Sequence, residues 1–175
     1  MIRIFLTGYM GAGKTTLGKA FAKNLGAEFI DLDWFIESRY HKSVHDLFVE
    51  RGEDVFRDLE RKALHEVSDF ENVIISTGGG TPCFFDNMDY MNLKGITVFL
   101  NVHIDILFSR LRIAKDRRPI LQNKSDEELK LFIGDALKDR LPFYEKAKYT
   151  FCADELEDYR QIDSSINRLC QLLQV

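Results

Sequence analysis

Cysteine is scarce in this chain. Cys83, Cys152 and Cys170 are odd in number, far apart and without a C-x-x-C pair, so they give neither a disulfide framework nor a zinc-ligand set. Proline numbers three and glycine eleven in 175 residues, too few for a disordered or fibrous chain. No apolar run approaches the length of a membrane span. The opening stretch, Met1-Ile2-Arg3-Ile4-Phe5-Leu6-Thr7-Gly8, is too short for a secretion signal, and no small-residue cleavage site follows it. It reads as the first β-strand of a cytoplasmic protein. A broad basic surface is missing too: the net charge is −4, which argues against a nucleic-acid partner. The histidines, His41, His45, His65 and His103, have no nucleophile or metal-ligand pattern around them. With 45% hydrophobic and 30% charged residues, the chain suits one globular domain over residues 1–175.

Five short β-like runs stand out: Arg3 to Thr7, Glu28 to Asp31, Asn72 to Thr77, Thr97 to Asn101 and Tyr149 to Cys152. Helical spacing separates them. Leu17, Phe21 and Leu25 share a face closed by Gly26, a fitting helix end. Ile104, Leu107, Phe108 and Leu111 repeat at i, i+3, i+4 and i+7. Ser125 and Glu128 form a capping-box pattern ahead of Leu129, Phe132, Ile133, Ala136, Leu137 and Leu141. Ile162, Ile166, Leu169 and Leu173 form a last face. Strands alternating with helices predict an α/β domain with a mainly parallel sheet. Residues 32–70 break that alternation, because they hold helical pattern and no strand. Ser43-x-x-Asp46 opens a short helix there, Gly52 ends it, and Phe56, Leu59, Ala63 and Val67 mark another. Such an insertion covers a ligand cleft or pads the core.

Gly8-Tyr9-Met10-Gly11-Ala12-Gly13-Lys14-Thr15 fits G-x-x-x-x-G-K-[ST] without a mismatch, directly after a strand and at the start of a helix. Glycines let backbone N–H groups turn inward as an anion nest, and the helix N-terminus adds positive potential. Lys14 is placed to bridge β- and γ-phosphates and the Thr15 hydroxyl to ligate Mg²⁺. The partner carboxylate must come from elsewhere, because the third strand carries Ser76 where an acid could sit. Asp31 and Asp33 are the nearest candidates, with helix capping as their alternative role. Gly78-Gly79-Gly80 follows the third strand, either to supply positive φ or to let backbone approach a ligand. Phosphate loop, Asp31-Leu32-Asp33 and glycine run all fall at carboxyl ends of strands, where open parallel sheets bind ligands.

The substrate side is less determined. Arg110, Arg112, Lys115, Arg117 and Arg118 crowd one segment ending at Pro119. It is either a solvated loop or a cationic lid over phosphoryl oxygens, with Arg118 the best single candidate. Arg57 and Glu60 lie i, i+3 on one predicted helix, and Glu60 intrudes on its apolar stripe. The pair is either an exposed ion pair or a carboxylate holding an arginine towards a ligand. Arg140, beside Leu141-Pro142, reads as a cation at a helix C-terminus.

The full set, G-Y-M-G-A-G-K-T-T, F-I-D-L-D-x-x-I-E, F-R-x-x-E, T-G-G-G, R-R-P-I-L and R-L-P-F-Y in that order, resembles the shikimate kinase family of P-loop kinases, over nearly the whole chain. The resemblance implies a three-layer α/β/α fold with a five-stranded parallel sheet in the order 2-3-1-4-5. It also implies substrate-binding helices over about 32–70 and a lid over about 112–124. It implies transfer of the γ-phosphoryl group of ATP to the 3-hydroxyl of shikimate, with Mg²⁺, by a monomer. ATP would meet Gly11, Ala12, Gly13, Lys14, Thr15, Thr16, Arg118 and Arg110 or Arg112. Shikimate would meet Asp33, Arg57, Gly78, Gly79, Gly80 and Arg140, between apolar walls of Val44, Phe48, Phe56 and Pro119. Lys14, Asp33 and Arg118 would carry the chemistry, and Thr15 and Asp31 the metal. Tyr9 and Thr15 depart from a commoner Pro and Ser. The rival readings are a kinase of another acidic polyol such as gluconate, a nucleoside-monophosphate kinase, and an ATP-binding switch without catalysis.

Overall fold

The computed structural model describes residues 2–115 and 119–175. Five strands, β1 (Arg3–Thr7), β2 (Glu28–Asp31), β3 (Val73–Ser76), β4 (Ile96–Asn101) and β5 (Tyr149–Cys152), form one parallel sheet in the order β2-β3-β1-β4-β5. Ile4, Phe5 and Leu6 of the central strand are all fully buried. A parallel strand covered on both faces needs such an unbroken apolar run rather than alternation. Ile4 and Leu6 join one core cluster while Phe5 joins the other, as the two-residue pleat requires.

The first cluster is closed by α1 (Lys14–Leu25), α5 (Ile104–Ile113), α6 (Asp126–Tyr144) and α7 (Tyr159–Leu173). The second is closed by α2 (Leu32–Tyr40), α3 (Val44–Val67) and α4 (Asn87–Lys94). The result is the expected three-layer arrangement. Among the described residues, no helix is long and apolar enough to cross a membrane.

Local signals explain most boundaries. Gly26 closes α1 in the left-handed conformation, φ 63° and ψ 29°. Ser125 and Glu128 form both halves of a capping box, at 3.1 and 2.7 Å. Gly52 breaks α3 with φ 80° and ψ 166°, so its two halves match the two expected helices. Strand edges shift by a residue: β3 is shorter than Asn72 to Thr77, and β4 starts at Ile96.

Two features differ from expectation. The 3₁₀ turn Thr81–Cys83 and α4 had no clear sequence signal, because only Met88 and Met91 space an apolar face in so short a helix. Helix α6 does not stop at Arg140 but runs through Pro142 to Tyr144. Arg140 therefore projects from a helix body one turn before its end.

Candidate active site

The phosphate loop joins β1 to α1 at the carboxyl edge of the sheet. Gly8 has φ +136°, and a Cβ there would stand 2.8 Å from the Leu100 carbonyl oxygen. Gly13 opens α1 at φ +90° against the Leu156 side chain. Neither position accepts a side chain. Lys14 is buried and folds back over the loop, its Nζ donating to the carbonyls of Gly8 at 2.8 Å and Tyr9 at 2.9 Å. A buried ammonium needs such partners until an anion replaces them.

Asp31 caps a helix with one oxygen and leaves the other for the phosphate loop. Oδ1 caps α2, accepting from the N–H groups of Asp33 (3.1 Å) and Trp34 (3.4 Å). Oδ2 accepts from the Thr15 hydroxyl at 2.7 Å. Asp33 lies in the first turn of α2 and lines the same cleft. Burial first, then the nearby carboxylates of Asp31, Glu60 and Glu37, raise its pKa to about 6, with Lys14 partly opposing.

The glycine run after β3 excludes one of its sequence alternatives. None of the three has a positive φ, so close approach is their purpose. A Cβ on Gly78 would stand 2.9 Å from both Asp33 Oδ1 and Glu60 Oε1. On Gly79 it would stand 3.4 Å from Arg140 Nη1, and on Gly80 2.7 Å from Arg57 Nη2. Three consecutive backbone positions thus lie against four different charged side chains.

The Arg57–Glu60 pair is buried, which rules out the exposed ion pair. Arg57 Nη1 donates to Glu60 Oε2 at 2.7 Å, and Glu60 Oε1 accepts from the Thr81 hydroxyl at 2.6 Å. Glu53 adds weaker contacts at 3.3 and 3.4 Å. Phe84 packs on the guanidinium, 4.1 Å from ring centre to Cζ, with Phe48 and Phe56 at 5.3 and 5.4 Å. Breaking a buried pair by removing one partner is costly, so Arg57 is held firmly.

Arg110 anchors the far end of the cleft. It donates to Glu157 (2.7 Å) and to the carbonyls of Gly11 (3.3 Å), Ala153 (3.2 Å) and Asp154 (2.8 Å). Arg112 instead pairs with Asp126 on the surface, at 3.2 Å.

One continuous cleft of about 1290 Å³ collects Gly11, Gly13, Lys14, Thr15, Thr16, Asp31, Asp33, Arg57, Gly78, Gly79, Gly80, Arg110 and Arg140. Val44, Phe48 and Phe56 are among its apolar walls. Ala12 is not part of the lining: its side chain is in the core and its N–H donates to the Tyr9 carbonyl at 3.1 Å. Arg117 and Arg118 lie outside the described residues. Sequence reasoning missed Thr81 and Phe84, which support the site from a distance in the chain and form no local pattern, and it gave no role to Glu37, four residues after Asp33 at the end of the F-I-D-L-D-x-x-I-E motif.

Residues 10–171 match the family model described as shikimate kinase. The chain belongs to the shikimate kinase family. It is 67% identical over 175 residues to the shikimate kinase of Bacteroides thetaiotaomicron, covering 100% of both chains. The crystal structure of shikimate kinase from that organism superposes with a TM-score of 0.98 over 99% of each chain. A shikimate kinase from Acinetobacter baumannii in complex with shikimate is 32% identical, with a TM-score of 0.85 over 99% of this chain and 94% of that one. A gluconokinase from Sinorhizobium meliloti, at 17% identity and TM-score 0.57, shares the fold alone.

Proposed function

We propose that the chain carries out its family's reaction on shikimate, moving the γ-phosphoryl group of ATP to the 3-hydroxyl and giving 3-phosphoshikimate and ADP, a step towards chorismate and aromatic amino acids. The observation that carries this reading is the placing of two guanidiniums, Arg57 and Arg140, against the glycine run within one cleft. That cleft also holds the phosphate loop and the carboxylate of Asp33. Planar forks suit a carboxylate, and a carboxylate-bearing ring held there has its hydroxyls beside Asp33.

The chemistry then follows from charge and alignment. The loop N–H groups and Lys14 hold the triphosphate, and Lys14 exchanges its carbonyl partners for phosphoryl oxygens. Asp33 accepts a hydrogen bond from the attacking hydroxyl, aligns it, and takes its proton as the new O–P bond forms and the bond to ADP breaks. Arg118, from the segment proposed as a lid, adds charge to the transferred group. Thr15 and one Asp31 oxygen suit Mg²⁺, which binds through few protein ligands and keeps waters and phosphates as the rest. Bound there, the ion would neutralise phosphoryl charge.

An ADP-release assay with ATP, Mg²⁺ and a panel of acids tests the reading. Shikimate is expected to turn over and gluconate to stay at background; the reverse would sink it. Arg57→Lys and Arg140→Lys are each expected to raise KM for shikimate by about tenfold, or roughly 1.4 kcal/mol, since Lys keeps the charge but loses the fork. KM for ATP should stay within about twofold. A larger effect on ATP would move these arginines to the nucleotide side.

A further inference from the structure

Arg57 is held by two carboxylates, but Arg140 is held differently. Among the described residues Arg140 is in no ion pair, while Arg57 pairs with Glu60 at 2.7 Å and Glu53 at 3.3 Å. Arg140 instead meets neutral partners, among them the Tyr144 hydroxyl, with which its side chain hydrogen-bonds. The Arg140 Cζ lies 5.4 Å from the centre of the Tyr9 ring, within the range of a cation–π contact. Its Nη1 is the atom that a Cβ on Gly79 would meet at 3.4 Å. Gly79 is itself fixed by Tyr144, whose hydroxyl donates to its carbonyl at 2.5 Å.

We propose that Tyr9 and Tyr144 are positioning residues for Arg140, one as a floor beneath the guanidinium and the other as a clamp on the backbone at its edge. The proposal rests on the reading of Arg140 as a carboxylate-gripping residue. Tyr9 sits inside the phosphate-loop motif, yet its ring belongs to the core and lies beneath the Arg140 guanidinium. Its backbone carbonyl meanwhile receives Lys14 at 2.9 Å. Tyr144 follows Arg140 by four residues on α6, so both leave the same helix face. Tyr144 is fully buried and stacks on Phe99 of β4, with ring centres 5.2 Å apart. Continuing α6 through Pro142 brings that ring into the core, which the helix end expected at Arg140 would not do.

The physical advantage is charge economy. A carboxylate partner would orient Arg140 but would also occupy its fork and compete with the ligand. An aromatic face attracts the cation through its quadrupole and leaves the N–H edges available. Two anchored rings therefore preorganise a guanidinium whose charge is kept for the substrate.

Steady-state kinetics and thermal melting of Tyr9→Leu, Tyr9→Phe, Tyr144→Phe and Arg140→Lys test this. Tyr9→Leu is expected to raise shikimate KM about five- to tenfold, and Tyr144→Phe about three- to tenfold. ATP KM should stay within about twofold in both. Tyr9→Phe, which keeps the ring, should restore shikimate KM to within about twofold of the parent. In an Arg140→Lys background the Tyr9→Leu penalty should fall below about twofold, because coupled residues are not additive. A normal shikimate KM in Arg140→Lys would overturn the reading of Arg140 and this proposal together. A raised KM there, with normal shikimate KM in either Tyr144→Phe or folded Tyr9→Leu, would overturn this proposal alone. Equal losses for both substrates would mark general loosening of the core and also overturn it. If Tyr9→Leu does not fold, Tyr144→Phe decides the outcome by its shikimate KM.

Discussion

Lys14→Ala is expected to lower kcat by about 10²–10³, the usual cost of losing one preorganised electrostatic contact to the transferred group. The side chain lies in the phosphate loop, buried, with its ammonium on the carbonyls of Gly8 and Tyr9. Those carbonyls hold the charge in reserve; they do not stabilise a transition state. Phosphoryl oxygens carry far more negative charge, so the amine gains most when they arrive, and more again as charge shifts during transfer. Lys14→Met keeps most of the chain length and removes only the charge. It should lose about as much kcat as Lys14→Ala if charge is the cause. Melting curves of both variants separate a folding defect, since two side-chain hydrogen bonds to backbone carbonyls, worth about 1 kcal/mol each, are lost. Near-normal turnover by either folded variant would remove Lys14 from the chemistry.

The parts of this site that were legible in the sequence are those that depend on local geometry. A phosphate loop needs glycines and a lysine at fixed offsets, so Gly8 to Thr15 can be recognised and placed at once. Strand ends in a parallel sheet share one edge, so Asp31 and the glycine run could be brought there without coordinates. Glu60 was legible as a conflict: a carboxylate on an apolar stripe calls for a partner, and it has two, Arg57 and Thr81. Other roles were hidden by ordinary local explanations. Arg140 beside Pro142 looks like a helix end, yet the helix continues. Phe84 lies in a stretch without periodicity, and its role is set by Arg57, a residue far away in the chain. Long-range contacts between single side chains leave no trace in spacing, whereas α4 was lost simply because eight residues hold too little pattern.

The second large effect concerns Asp33, and it has opposite signs for activity and stability. The native state holds this carboxyl near pKa 6 instead of 3.8, through burial first and then the charges of Asp31, Glu60 and Glu37, against the partial relief of Lys14. The ionised form is the one that can accept a hydrogen bond from the attacking hydroxyl. Parent kcat/KM for shikimate should therefore fall about tenfold per pH unit below roughly pH 6, as the free enzyme takes up a proton. Asp33→Asn should lack that acid limb. If alignment dominates, it keeps measurable kcat through its remaining acceptor oxygen. Asp33→Ala should lose far more and also bind shikimate poorly. Asp31→Asn should act on the metal side and raise the Mg²⁺ concentration needed. An Mg²⁺ defect in Asp33→Asn with normal shikimate affinity would reverse these two assignments. For stability the sign inverts. Between pH 3.8 and about 6 the native state binds more protons at this group than the unfolded chain does, so its contribution falls as pH rises through that window. Above it, the folded protein carries a penalty on the order of 1–3 kcal/mol for keeping a charged carboxylate in the cleft. Asp33→Asn removes that penalty. Its melting temperature at pH 8 should exceed the parent's by roughly 2–4 °C for each kcal/mol recovered, and the gain should vanish near pH 4. A variant that is less active and no more stable at pH 8 would show that the carboxylate is not strained in the resting enzyme, and the pH limb would then need another titrating group.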